Sequence, residues 1–583
     1  MIQLLRSLAL VWLCCVQLIA AIQVDWENTD SIKAAAKITA TDMLRYFIGK
    51  QEDGTIGVLL LPRPYYWWEA GAMMGGLLDY WHYTGDDSFN DFVTEILQSQ
   101  VGPHNDFMPP EQRSSLGNDD QAFWAMAAMS AAENKFPDPP LTTQPGWLSL
   151  VQAVFNEQIG RWDTSLCNGG LRWQIYEVTG YDLKNTISNG CLFNIAARLA
   201  RYTGDKKYAD WAIKIWDWME RIGLISKNYD IYDNAEAQKL NCTELDRNQW
   251  TYNAGTMLMG AATMYNYTDG SELWKNRTTG ILNSLAADFF PGGIMKEICE
   301  EYVVCNPDQK SFKAYLARWM AASTKMAPYT YNTSFPLLLS SATAAAEQCT
   351  GGENGTLCGI KWWLNGTWDG SDGPGQQMCA LEVIQSTLIR HVDAPVTASG
   401  GGTSQGNPDA GFNQSAVPPG LRHSPATEKD RVGAWFLTAI MLIAVVGMWV
   451  FMSTSLGEWG GSSLAGKKDL SSSSSSAHMK SPGGFWGTKS RGKGKEKVEP
   501  VPEVLDLNES RRSTMTESPS RRSTMVGNVN PNANLSSTSV LEGTPVSISK
   551  KGSAGILSPI MEQKGFADSK ASLPIYKGGD EKT

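Results

Sequence analysis

Helical spacing governs residues 22–393. "SIKAAAKITATDMLRYF", "AFWAMAAMSAAE", "CLFNIAARLARY", "AGTMLMGAATMY" and "FKAYLARWMAAS" each bring apolar or small residues back at helical intervals. No run of alternating apolar and polar residues stands out as a strand. The Gly and Ala content of these helices suits the close packing of an inner layer of helices.

The turns between the helices repeat. "YWHYTGDDSFNDFVTEIL" (80–97) and "LARYTGDKKYADWAIKIW" (199–216) share Y-T-G-D-x-x-[FY]-x-[DN]-[FW], and "MYNYTDGSELWKNRTTGIL" (264–282) is a looser copy. In each, an aromatic closes one helix, Gly turns the chain, Asp caps the next helix and an aromatic starts its buried face. The spacing implies a unit of about 60–65 residues, with a degenerate copy at 132–151 and another at 331–347. About six such hairpins predict an all-α fold, an (α/α)6 barrel, with an open solenoid as the alternative.

The flanks read differently. Residues 1–21 have the form of a secretory signal: Arg6, then the apolar "SLALVWLCCVQLIAA" ending in small residues. Residues 394–431 are a Gly/Ser/Pro linker with little to bury. Residues 432–452, "VGAWFLTAIMLIAVVGMWVFM", hold no charge and are long enough to cross a bilayer as a transmembrane helix. Residues 453–583 begin Ser-rich, turn basic, and read as a disordered tail. That tail carries "SRRSTM" twice, at 510–515 and 520–525, a pattern that suits a charge-reading kinase.

Charge and cysteine set the topology. The chain has 583 residues and a net charge of −10, which divides into +5 after residue 452 and −15 before it. Lys467 and Lys468 behind the span predict a type I protein, with the acidic domain outside and the tail in the cytoplasm. Two of the ten cysteines lie in the signal; the other eight all precede the span. An even number confined to the predicted outside implies that all eight are disulfide-bonded, with Cys299–Cys305 and Cys349–Cys358 plausible neighbours. Sequons at Asn241, Asn266, Asn276, Asn332, Asn354, Asn365 and Asn413 fit a secreted glycoprotein. The acidic domain argues against nucleic acid, cysteine spacing and five His give no zinc pattern, and no cofactor or catalytic metal is expected.

Four runs would open inner helices: "YYWWEAGAMMGGLLDYW" (65–81), "GNDDQAFW" (117–124), "GYDLKNTISNGCLFN" (180–194) and "RNQWTYNAGTM" (247–257). Each sets Trp, Tyr, Asn, Asp or Glu ahead of a small-residue helix. For any one of them helix capping is the simpler reading, since Asp and Asn are preferred caps; four at repeat spacing weaken it. The pair Asp119–Asp120 has a chemical use. Retaining glycoside hydrolysis needs two carboxyls about 5–5.5 Å apart, one ionised and one protonated, and crowding two acids splits their proton affinities.

On "WWEAGAMMGGLLDYW", "NDDQAFWAMAAMSAAE", "KNTISNGCLFNIAARLARYTGD" and "QWTYNAGTM" the chain resembles glycoside hydrolase family 76, in particular its fungal cell-wall branch, over about residues 22–390. The resemblance implies an (α/α)6 catalytic domain and retaining cleavage of α-1,6-mannosidic bonds, that is, mannan endo-1,6-α-mannosidase activity. Carried over, Asp119 is the nucleophile and Asp120 the acid/base, with Trp67, Trp68, Glu69, Asn118, Trp124, Asn189, Trp250, Tyr252 and Asn253 as substrate-binding residues. It also implies transglycosylation, in which the α-mannose-containing core glycan of GPI-anchored proteins is cut and the protein passed to wall glucan. Members of that branch are commonly GPI-anchored, whereas 131 residues follow Met452 here, so a spanning helix is expected instead. The rivals are another (α/α)6 sugar enzyme, such as an epimerase or a lyase-like hydrolase, and a catalytically silent glycan-binding wall sensor with a signalling tail.

Overall fold

The structure, a computed structural model, describes residues 21–113, 116–302, 305–411 and 428–458. Nearly all of the expected signal peptide, the sequon at Asn413 and the tail from 459 onward, with its "SRRSTM" pair, lie outside these residues.

Among the described residues the chain is overwhelmingly helical. The helices are α1 (Thr29–Leu44), α2 (Trp67–Thr84), α3 (Asn90–Ser99), α4 (Asn118–Glu133), α5 (Trp147–Gly160), α6 (Thr186–Thr203), α7 (Lys206–Ile222), α8 (Thr251–Tyr267), α9 (Glu272–Phe289), α10 (Phe312–Met326), α11 (Tyr331–Gln348), α12 (Pro374–Ser386) and α13 (Glu428–Glu458). The even-numbered helices α2 to α12 start 51 to 68 residues apart, close to the repeat read from the turns. Those turns form as expected. Gly85 and Gly204 close their helices at φ 76° and 75°, a left-handed conformation that costs glycine little. Asp205 accepts from Lys207 N at 2.8 Å as the next cap, and Asp269 and Gly270 make the looser copy's turn at φ 52° and 86°.

The even-numbered helices pack side by side and run in one direction. Gly71 of α2 lies flat against the Trp124 ring of α4. Arg198 of α6 reaches Ser130 and Glu133 of α4, and Asn194 of α6 donates to Thr256 O of α8 at 3.3 Å. Gly255 of α8 abuts Leu316 of α10, Arg318 of α10 pairs with Glu382 of α12, and Gln385 of α12 donates to Gly76 O of α2 at 3.2 Å. At Gly71 and Gly255 a Cβ would meet the neighbouring helix at 2.7 and 3.0 Å, so glycine sets how near these helices come. The odd-numbered helices cover them: α3 on α2, α5 on α4, α7 on α6, α9 on α8, α11 on α10 and α12, and α1 on α12. Burial follows: α6 is buried almost throughout, whereas α7 buries only Tyr208, Ala209, Ala212, Ile215, Trp216, Trp218 and Met219, the single apolar face of a surface helix.

The structure departs from the sequence reading in three places. A small antiparallel sheet, β1 (Leu183–Asn185), β2 (Asn234–Glu236) and β3 (Leu245–Asp246), pairs Leu183 with Glu236 and Asn234 with Asp246; strands this short carry no periodicity. Six cysteines pair, as Cys167–Cys242, Cys299–Cys305 and Cys349–Cys358. Cys191 and Cys379 are free, against the expectation that all eight are bonded; each is buried within an inner helix and packs as a small apolar residue. Residues 394–411, expected to be linker, are instead strapped to the domain: Val396 N donates to Glu133 O at 2.8 Å, Ala398 N to Tyr202 O at 2.8 Å, and Asn407 N to Gln152 Oε1 at 2.7 Å. Backbone hydrogen bonds, which composition does not reveal, hold the strap. Beyond it, Gly433–Ser453 within α13 is long and apolar enough to cross a membrane.

Candidate active site

The first turns of α2, α4, α6, α8, α10 and α12 share one end of the domain, and the four polar, aromatic runs meet there. Residues 116–117 run extended beside 173–175, with Asn118 N donating to Trp173 O at 2.9 Å and Ile175 N to Leu116 O at 3.3 Å. The extended segment ends at Gly117, the N-cap of α4 (φ −87°, ψ 161°). Gly117 N donates to Asp120 Oδ2 at 2.8 Å, and Asp120 N donates to Asp119 Oδ1 at 3.1 Å. Both carboxyls are largely buried, 9% and 6% exposed for Asp119 and Asp120. A Cβ on Gly117 would collide with Asp119 Oδ1 and come within 3.3 Å of Asp120 Oδ2. The glycine is thus the space in which the Asp119 carboxyl sits.

The last turn of α5 latches this corner. Gln158 Nε2 donates to Asn118 O at 2.7 Å and Arg161 Nε to Asn118 Oδ1 at 2.9 Å, while Asn118 Nδ2 holds Arg172 O at 2.8 Å. Arg161 also donates to Gln121 Oε1, and Gln121 Nε2 donates to Glu157 Oε2 at 2.7 Å. Burial drives the Glu157 carboxyl up to about 8, with Asp106 adding to the rise and Arg161, at 3.6 Å, opposing it. A buried acid in the last turn of α5 and the guanidinium of its C-cap, Arg161, therefore fix the first turn of α4 from behind.

Aromatic side chains line the adjoining walls. Trp67 stacks on Trp124 with centroids 5.0 Å apart and donates to Gln100 Oε1 at 2.8 Å. Trp68 lies 4.6 Å from Phe123 and donates to Asp308 Oδ1 at 3.1 Å. Glu69 Oε2 accepts from Tyr66 N at 2.7 Å, the capping bond of α2. Across from them Trp250 caps α8, and Tyr252 lies parallel to Phe312 at 3.7 Å. The buried Glu297 carboxylate accepts from Thr251 N at 3.1 Å and so holds that helix start. Asp233 accepts from Asn253 Nδ2 and Asn234 Nδ2, both at 3.0 Å, and burial together with Asp246 pushes it up to about 6. The Tyr252 hydroxyl is driven well above its ordinary range by burial first, then by the charges of Asp233, Asp119 and Asp308.

Asp119 and Asp120 stand in the first turn of α4, Trp67, Trp68 and Glu69 in that of α2, and Trp250 and Tyr252 at the start of α8. Other expected sugar-binding residues do not face outward. Asn118 has both ends of its amide committed to Arg161 and Arg172. Asn189 is fully buried and spans Leu171 N and O and Asn185 O. Asn253 is fully buried against Asp233, and Trp124 is fully buried behind Trp67. In this structure these four side chains, like the fully buried Glu69, hold the walls together. Sequence reasoning missed Asp233, Asp308, Gly117 and Phe312. Asp233 and Asp308 lie in irregular loops without any spacing signal, and only the Gly-Asn-Asp-Asp order hinted at Gly117. The six sequon asparagines that are described are all exposed.

Comparison with known proteins identifies the family of the chain. The profile of glycosyl hydrolase family 76 matches residues 31–399. The chain is 45% identical over 429 residues to the mannan endo-1,6-alpha-mannosidase DCW1 of Saccharomyces cerevisiae, covering 73% of this chain and 94% of that one. It is 47% identical over 400 residues to a putative mannan endo-1,6-alpha-mannosidase of Schizosaccharomyces pombe, covering 68% and 89%. Among solved structures, Dfg5 from Chaetomium thermophilum in complex with glucosamine superposes with a TM-score of 0.64 at 43% identity, over 67% of this chain and 97% of that one. An inactive variant of the alpha-1,6-mannanase GH76A of Salegentibacter, in complex with alpha-1,6-mannotriose, shares the fold at 17% identity and a TM-score of 0.50, over 63% and 99%.

Proposed function

The chain belongs to glycosyl hydrolase family 76 and is a glycoside hydrolase, and from that premise we propose a retaining mannan endo-1,6-α-mannosidase or transglycosidase. The carrying observation is the Asp119–Asp120 pair, held at the opening of α4 by the α5 latch and walled by Trp67, Trp68, Trp250 and Tyr252. We read the six parallel helices with their outer partners as the (α/α)6 toroid of that family.

In the proposed reaction Asp119 attacks the anomeric carbon as Asp120 gives its proton to the departing 6-oxygen. A covalent mannosyl-enzyme forms with inverted configuration. Asp120, now a base, takes a proton from the incoming hydroxyl, and the second inversion restores the α linkage. When the acceptor is water the outcome is hydrolysis; when it is a glucan hydroxyl the outcome is transfer. The acidic surroundings of Tyr252, from Asp119, Asp233 and Asp308, favour a substrate carrying an ammonium group. An amino sugar next to mannose, as in a GPI core, has that chemistry, and the Chaetomium relative was solved with glucosamine. The apolar α13 then anchors the catalytic domain on the outer face of the plasma membrane, in type I orientation.

The test is to incubate the purified full-length protein with α-1,6-mannotetraose, with and without a glucan oligosaccharide. Products are identified by mass, and the first-formed anomer by NMR. Initial α-anomer, or a mannosylated glucan, supports the reading. Mannan binding without turnover favours the silent sensor, and initial β-anomer removes the two-step mechanism.

A further inference from the structure

Glu157, in the last turn of α5, accepts from Gln121 Nε2 at 2.7 Å and is hydrogen-bonded to a second carboxyl, that of Asp106. A bond between two carboxyls exists only while one of them is protonated, because carboxylates are acceptors alone. Both are buried, 7% exposed for Glu157 and 1% for Asp106, and one guanidinium, that of Arg161, stands 3.6 Å from Glu157. One positive charge balances one carboxylate. Two ionised carboxyls would leave an excess negative charge in a buried site, which burial penalises. The remaining titratable neighbour is Tyr176, in the segment after α5. Its hydroxyl is buried, has no hydrogen-bond partner among the described residues, and is raised further by burial, against Arg161 and Arg113, so it stays neutral. Glu157, Tyr176 and Asp106 are also the groups whose charge acts on the Arg161 guanidinium.

Asp106 has no room to retreat. Its Oδ1 accepts from Met108 N at 3.0 Å, its carbonyl accepts from Gly102 N at 2.6 Å, and a Cβ on Gly102 would come within 2.1 Å of that Oδ1. Repulsion on loss of the shared proton therefore falls on Glu157, and α5 passes it to α4. Glu157 holds Gln121 Nε2, and Arg161 holds Gln121 Oε1 and Asn118 Oδ1. Asn118 and Gln121 are the residues on either side of Asp119–Asp120 in the first turn of α4. We propose that Glu157 is kept as a protonated acid donating to the Asp106 carboxylate, and that the two are positioning residues: loss of this proton loosens Asn118 and Gln121 and so misplaces the carboxyl pair, although neither acid touches substrate. The proposal rests on the glycosidase reading above and concerns the regulation of that site. Burial raises Glu157 to about 8, so the latch is closed below that pH and opens above it. A displacement of about 1 Å in a reacting group is enough to slow the reaction about a hundredfold.

The experiment compares the full-length protein with Glu157→Gln, whose amide can accept from Gln121 and donate to Asp106 at every pH. Infrared spectra are taken at about pH 6 and about pH 9.5, on either side of the Glu157 value of about 8. The acid-carbonyl band that disappears between them should be larger in the parent than in the variant, by one carboxyl. The ratio kcat/KM is then followed over the same range on a dinitrophenyl α-1,6-mannobioside. Its leaving group needs little protonation, so proton donation by Asp120 does not shape the profile. Above about pH 8 the parent should lose about tenfold per pH unit, whereas Glu157→Gln should stay within about twofold of its own neutral value, with circular dichroism unchanged in both. Equal band changes in the two proteins overturn the shared proton whatever the activity. A band difference with the same alkaline loss in both overturns the positioning role, as does a folded Glu157→Gln that is inactive at every pH. Absence of turnover by the parent at any pH, with the band difference present, defeats the glycosidase reading and leaves the shared proton standing.

Discussion

Gly117→Ala adds one methyl group where the carboxyl pair leaves no room for it. The backbone there is extended (φ −87°, ψ 161°), so alanine meets no conformational strain. Exchanging glycine for alanine at an N-cap costs about 0.5–1 kcal/mol, which in a domain of this size shifts the melting temperature by about 1–3 °C. The new Cβ, however, claims the position of Asp119 Oδ1 and sits 3.3 Å from Asp120 Oδ2 and 3.4 Å from Trp173 O. The Trp173 carbonyl is backbone held by Asn118 N and cannot give way, so the Asp119 carboxyl must rotate. A displacement of about 1 Å in a reacting group is worth about a hundredfold in rate. The expected result is kcat/KM on α-1,6-mannotetraose reduced about a hundredfold in a protein that melts within about 3 °C of the parent. Undiminished activity in the folded variant would refute the placement of Asp119 as nucleophile. A fall of 10 °C or more in melting temperature would show that Gly117 serves the fold instead.

Three further outcomes follow from named groups. Asp119→Asn should abolish turnover, whereas Asp120→Asn should retain activity on substrates with a good leaving group and yield an α-mannosyl azide when azide is added; no rescue by azide would count against Asp120 as acid/base. Denatured but unreduced protein lacking the signal should label at two thiols, Cys191 and Cys379, and zero or four would contradict the pairing. Stability should fall as pH rises from about 4 to about 8, because burial holds Asp233 up to about 6, Asp79 up to about 7, and Glu157 and Glu297 up to about 8. The folded chain then binds more protons than the unfolded one across that window, at about 1.4 kcal/mol per pH unit for each net proton. His82, lowered by burial to about 4, opposes this as one group against four. Glu297→Gln should flatten the slope, and melting curves that climb between pH 5 and 8 would overturn the sign.

The helices and their turns were legible because both rest on local chemistry. A Y-T-G-D turn needs a left-handed glycine and a capping aspartate wherever it occurs, and Gly85, Gly204 and Asp205 do what the sequence asked of them. The carboxyl pair was legible for a similar reason, being two adjacent letters at a helix start. The division of the surrounding polar residues into ligands and supports was not legible. Asn189 and Trp250 look alike in sequence, each a polar or aromatic residue ahead of a small-residue helix. One is consumed by Leu171 and Asn185 while the other stays partly exposed, and long-range packing alone decides which. The strap shows the same limit. Its Gly/Ser/Pro composition is that of a spacer, yet Asp138, Gln152 and Asn156 supply partners from more than 250 residues away.

Helix capping accounts for Asp120, and Asp119 is not the cap. Asp120 stands at the third position of α4 and accepts from the N–H of its N-cap, as Glu69 does on α2. A helix that needed only a cap would stop there. Asp119 instead adds a second acid beside the first, nine-tenths buried, where like charges raise each other's free energy. Its Oδ1 accepts from the N–H of its own neighbour, a bond that an Asn carbonyl can make equally well. Stability given up at an active site is recoverable by mutation. Asp119→Asn should therefore raise the melting temperature by about 1–3 °C, equivalent to about 1 kcal/mol, in the same protein that loses turnover. Asp120→Asn weakens the bond to Gly117 N and should show no such gain. If Asp119→Asn melts below the parent by as much as it was expected to melt above it, the pair is held for the fold, and Glu69 becomes the next carboxyl to test for catalysis.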